Sequence, residues 1–220
     1  MYFAALFFAE LFILFLMSKT LTRLLSSFLY RLTRSKKLTI YTLSALFFPG
    51  TLIHELSHAI MARILFVGVM HMEFIPKIEG GGVKLGSVQV AKTDPVRRLL
   101  IGMAPFLVGA GILLGVLFFA ATNNLFTNYI FPTLLIYVVF EVGNTMFSSK
   151  KDMEGALELL LSIIVLITLF YFLGFRIPSS RPEVFFANPI VSEVFQKGAL
   201  FLLAPLGIDL LAIALLKLIQ

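Results

Sequence analysis

No cysteine occurs among the 220 residues. Disulfide bridges and thiolate metal sites are therefore excluded. Charge is scarce as well: only 14% of residues are Asp, Glu, Lys or Arg, where a soluble domain carries about a quarter. Also missing are an internal repeat, a low-complexity tract and a separate polar domain. What fills the chain is apolar: 59% of residues are hydrophobic, 24 of them Phe. This balance predicts an integral membrane protein. In hydrocarbon every backbone polar group must be paired internally, which leaves helices or a closed barrel. The apolar runs far exceed barrel strands of about 10 residues, so the expected fold class is all-α. The net charge of +6 then suits anionic lipid headgroups and not nucleic acid.

Six apolar segments are predicted to cross the bilayer: 2–17, 38–67, 99–122, 129–147, 153–174 and 191–219. Most match the ~20 residues that span ~30 Å of hydrocarbon. Residues 2–17 have no basic leader before them and read as a membrane segment, not a cleaved signal. Between the first two spans, residues 18–37 place Leu21, Leu24, Leu25, Phe28 and Leu32 at helical spacing among six Lys and Arg. That pattern predicts a basic amphipathic helix lying in the interface. The one long polar link, 68–98, carries β-prone runs on either side of "EGGG" and predicts a hairpin. Gly86 interrupts its second run, which calls for a bulge or second turn there. The chain is thus expected to form a single transmembrane domain over 1–220. Residues 1–37 make the first span and amphipathic helix, 38–158 the functional core, and 159–220 peripheral helices.

Within the second segment stands "FPGTLIHELSHAIMARILF", residues 48–66. His54 and His58 are four positions apart, which puts both imidazoles on one helix face. Two imidazoles so placed can hold one zinc ion, and Glu55 beside them can take a proton from water that the metal acidifies. The bland alternative is a set of polar groups paired with one another in a bundle. One buried His would favour it. Three ionisable groups at this spacing, in a segment that resists charge, favour function.

Zinc requires a third protein ligand. His71 is the sole remaining histidine and falls beyond the expected helix end, as an ordinary residue of the polar link. The alternative is a distant carboxylate. After His58 the chain leaves its segment, crosses twice and returns to the same face at "EVGNTMFSSKKDMEGALE". Asp152, Glu154 and Glu158 are therefore on the correct side. Glu10, Glu141 and Asp209 lie inside spans, and nothing in the sequence brings them to His58.

The chain resembles the site-2 protease family of intramembrane zinc metalloproteases. "HELSH" within a span carries the resemblance, and "GMAPFLVGAG" at 102–111 is similar to the family's AGPxxN-like stretch. Asn144 and Asp152 match the first and ninth positions of its N-x-x-P-x-x-x-x-D-G motif. The resemblance implies one zinc per chain held by His54, His58 and Asp152, with Glu55 as catalytic base and Glu154 as the fallback ligand. It implies that Asn144 holds the substrate backbone or the oxyanion. The substrate would be a transmembrane helix, cut within the bilayer of a cell membrane, with the metal nearer the cytosolic face. Lys and Arg divide equally between the two sides of the expected topology, so loop charge does not choose the orientation. A transmembrane helix must unwind before its carbonyls can be attacked. The 83–90 run, with Val88 and Gln89, offers a strand edge for the unwound peptide.

Phe147 stands at the family's proline and Met153 at its glycine. These departures motivate a rival reading, a family member that binds transmembrane partners without cutting them. A second rival is a membrane zinc peptidase of the CAAX prenyl protease type, whose downstream glutamate ligand Glu154 or Glu158 would supply.

Overall fold

A computed structural model of the chain describes residues 2–74, 77–79, 82–84, 86–122, 130–147, 149, 152, 165, 168, 172 and 189–219. The helices are α1 (Tyr2–Thr33), α2 (Lys36–Leu46), α3 (Phe48–Ile64), α4 (Pro95–Thr122), α5 (Ile130–Thr145) and α6 (Pro189–Ile219). Between α3 and α4 lie β1 (Val69–Glu73), β2 (Lys77–Glu79), β3 (Gly82–Lys84) and β4 (Ser87–Val90).

Among the described residues three helices are long and apolar enough to cross a membrane: Tyr2–Thr33, Pro95–Ala120 and Val191–Ile219. Six such segments were expected, and the differences have local causes. The break foreseen after residue 17 does not occur. Leu, Phe, Lys and Arg all tolerate helix, so the apolar and basic stretches join into the single 32-residue α1. That helix ends only at Arg34, whose φ of 50° leaves the helical region, and Ser35 then caps α2 by accepting from the Leu38 N–H. The segment 38–67 is likewise not one span but two helices, of 11 and 17 residues, joined at Phe47. Pro49 supplies the reason. It has no N–H to continue the ladder of α2, and this costs nothing in the first turn of α3. Ile130–Thr145 is apolar but shorter, at 16 residues. The expected span 153–174 lies almost wholly outside the described residues.

The helices expose their grease. Only 33%, 33% and 28% of the most apolar stretches of the three long helices is buried. Phe8, Phe12 and Leu16 of α1, and Leu211, Leu215 and Leu218 of α6, face outward. The inward faces meet in a core of Leu11 and Leu14 from α1, Leu113 from α4, Val139, Val142 and Met146 around α5, and Leu202 from α6. α1 packs chiefly along α6, while α5 touches α1, α3, α4 and α6. The short α5 is thus the hub.

The expected hairpin forms as two nested antiparallel pairs. β1 pairs with β4, with Met72 opposite Val88 and His71 opposite Gln89. β2 pairs with β3 further out. The second run is divided at Gly86, as its sequence required. There the backbone presses on α3: a Cβ on Gly86 would stand 3.0 Å from both Thr51 Cγ2 and Glu55 Cγ. The glycine therefore lets β4 lie directly against the helix that carries the histidines.

Candidate metal centre

α3 turns His54 and His58 toward the same point, their rings 4.9 Å apart and nearly perpendicular. Asp152 reaches that point from the chain that follows α5. Its Oδ2 lies 3.6 Å from His54 Nε2 and its Oδ1 3.4 Å from His58 Nε2. The ligand atoms of these three residues all fall within 4.8 Å of one another, and the group can hold a metal ion.

Main-chain carbonyls set the tautomer of both rings. His54 Nδ1 is 2.6 Å from the Thr145 carbonyl oxygen, and His58 Nδ1 is 2.7 Å from that of Ile101. A carbonyl oxygen only accepts, so each Nδ1 carries a proton, and in the neutral ring each Nε2 keeps its lone pair. In that neutral form both lone pairs face a carboxylate, which is repulsive unless a cation, a proton or a metal ion, sits between them. The buried Nε2 of His58 has no hydrogen-bond partner. A buried acceptor without a partner is costly, and a metal ion would satisfy it. This donor set, two neutral imidazoles oriented from behind and one carboxylate, suits a divalent transition metal.

Asp152 is held as firmly as the rings. Its Oδ2 accepts from the Ser149 N–H at 2.6 Å, and its own N–H donates to Ser149 Oγ at 3.2 Å. Burial alone would push this carboxyl up, while the Ser149 N–H that donates to it favours its charged form. The charged form is the one a metal ligand must adopt. Its backbone lies against α4 at Gly102, where any side chain would collide with the Asp152 carbonyl.

Glu55 is buried beside the pair, 7% exposed. His54, Glu55, His58 and Asp152 line one cavity of about 970 Å³, and Val88 and Gln89 of β4 form part of its wall. Asn144 also borders it, but its amide nitrogen is already engaged. Nδ2 donates to the Phe140 carbonyl at 2.9 Å and to Asp209 Oδ1 at 2.8 Å. His71 stays on β1, exposed and apart from the cluster. Glu154 and Glu158 lie outside the described residues.

Sequence reasoning missed the groups behind the ligands. Thr145 and Ile101 act through main-chain oxygens, which any residue could supply, so no side-chain signal marks them. Gly102 was quoted within its motif, and its contact with Asp152 emerges only from the packing of the chain after α5 onto α4. No protein-family description, curated protein or solved structure matches this chain.

Proposed function

We propose that the chain is a multi-pass integral membrane zinc metalloprotease that hydrolyses peptide bonds of transmembrane helices, as the site-2 protease family does. One observation carries the reading: the HExxH imidazoles and Asp152 converge beside the buried Glu55, in a cavity that a β-strand borders, within a bundle of bilayer-length helices.

The spacing admits zinc. Tetrahedral ligands at ~2.0–2.1 Å stand roughly 3.3 Å apart, close to the 3.4 and 3.6 Å between the imidazole nitrogens and the Asp152 oxygens. When bound, zinc supplies the Lewis acidity that makes water a nucleophile near neutral pH. The protein's own residues do the rest. His54, His58 and Asp152 would hold the ion. Glu55 takes the proton from the attacking water and returns it to the leaving amine.

The strand edge is the substrate platform. Ala91 N–H bonds the Gly68 carbonyl. Alternation along the strand then turns the N–H of Gln89 toward β1, and those of Val88 and Val90 to the open side. An unwound substrate can add there as a further strand. Asn144 borders the same space, and a substrate backbone lying along it would meet the end of α5. The outward Phe and Leu of α1 and α6 make lipid the natural surrounding, in a cell membrane with the metal toward the cytosol.

Purified protein loaded with zinc and given a helical transmembrane substrate tests the reading. Cleavage that disappears in Glu55→Gln while zinc remains bound supports it. A metal-loaded wild type that cuts only prenylated peptides redirects it to the CAAX type. One that cuts nothing leaves a binding protein.

A further inference from the structure

The break at Phe47 sets a problem that α5 solves. In an uninterrupted helix the Gly50 N–H would bond the Leu46 carbonyl, four residues back. Here the two groups part, and each finds a side chain of α5. Gly50 N–H donates to Glu141 Oε2 at 3.1 Å. The Leu46 carbonyl accepts from the Tyr137 hydroxyl at 3.4 Å. Tyr137 and Glu141 are one helical turn apart, so a single face of α5 replaces the missing rung. Between them Phe140 stacks on Phe47 with rings 5.8 Å apart and 16° from parallel.

One turn further along both helices comes the contact that matters to the metal. Gly50 leads to His54, and Glu141 leads to Thr145, whose carbonyl receives His54 Nδ1. The two contacts, Gly50–Glu141 and His54–Thr145, are thus successive rungs between α3 and α5. Gly50 also brings the helices close. A Cβ at that position would collide with the Thr145 side chain and stand 2.8 Å from the Glu141 carbonyl oxygen. Thr145 in turn ties back through its hydroxyl, which donates to that carbonyl at 2.7 Å. Glu141 is 2% exposed, an expensive place for a carboxyl that has no part in the metal cluster.

We infer that Glu141 is a positioning residue for the metal centre: it accepts the Gly50 N–H freed by the helix break and so locks the register at which the Thr145 carbonyl orients His54. The inference rests on the metal-binding reading and not on proteolysis. A leucine at position 141 leaves the Gly50 N–H without an acceptor and frees α3 to slide or rotate. Glutamine keeps an acceptor oxygen there.

Cobalt(II) and zinc titrations of detergent-purified, metal-stripped protein test this, with the cobalt absorption spectrum and the thermal midpoint recorded for each variant. Glu141→Leu should weaken metal affinity about tenfold or more, as losses behind a ligand do, and should alter the cobalt spectrum. Glu141→Gln should stay within about threefold of wild type. Gly50→Ala is the second variant, should Glu141→Leu not fold. Its methyl disturbs the same register with Glu141 present, and it too should lose affinity. A folded Glu141→Leu or Gly50→Ala chain with wild-type affinity and spectrum overturns the inference, whatever its thermal midpoint. So does an equal loss in Glu141→Gln and Glu141→Leu. A wild type that binds metal but cuts no peptide ends the protease reading and leaves the inference standing. A wild type that takes up no metal overturns both.

Discussion

His54 and Asp152 come from opposite ends of the core, yet His54 Nε2 stands 3.6 Å from Asp152 Oδ2. That distance suits two ligands of one small cation better than it suits a hydrogen bond. The Thr145 carbonyl holds the far side of the ring, and the Ser149 N–H holds the same carboxylate oxygen, Oδ2. Both partners are therefore fixed before anything binds, and the ordering entropy has been met by the fold.

Removing a ligand should empty the centre. Wild-type protein is expected to hold one zinc per chain, and His58→Ala or Asp152→Ala to lose at least ~100-fold in affinity, more than losses behind a ligand cost. Metal analysis of the three purified proteins decides this. Full occupancy in Asp152→Ala would move the third-ligand role to another residue.

Glu55 separates chemistry from binding. Glu55→Gln keeps the shape but cannot take a proton, so cleavage of a helical substrate should fall by ~10²–10⁴ with zinc content unchanged. Substantial peptide cleavage by the metal-loaded variant would end the proposed role of this carboxylate.

Gly102 tests the packing behind Asp152. Alanine there collides with the Asp152 carbonyl, so the ligand must move. Overpacking of this kind costs about 1–3 kcal/mol, and metal affinity should fall together with the thermal midpoint. An alanine variant that melts and binds metal like wild type contradicts the described contact.

The strand edge is tested at Val88. Its N–H is on the open side of β4, so Val88→Pro should spare the pairing with β1 and remove a donor from the edge. Turnover of a helical substrate should drop roughly two- to tenfold, the worth of about one backbone hydrogen bond, while zinc content stays the same. Unaltered turnover would remove strand addition from the mechanism.

The two outcomes at the helix break and at the strands show what local pattern can and cannot carry. Gly86 was legible as an interruption, since a glycine between β-prone residues marks a bend whatever surrounds it. The division of 38–67 was not read, although Pro49 was visible. Hydropathy counts apolar residues and is blind to whether a freed N–H finds a partner. Here Glu141 and Tyr137 supply the partners, and both belong to another helix. The extension of α1 to Thr33 was missed for a related reason. A change from apolar to basic residues alters a helix's surroundings without stopping its hydrogen bonds.

By itself the sequence determined the apolar helical character and the imidazole pair with its neighbouring glutamate, because four-residue spacing fixes a helix face without help from the rest of the chain. Parity of crossings narrowed the third ligand to a few acids on one side, and resemblance singled out Asp152. Only the tertiary structure brought that carboxylate between the rings, set both tautomers and gave Gly50 its acceptor. Those contacts join distant segments, and several run through main-chain atoms that are the same in every residue, so no local pattern could record them.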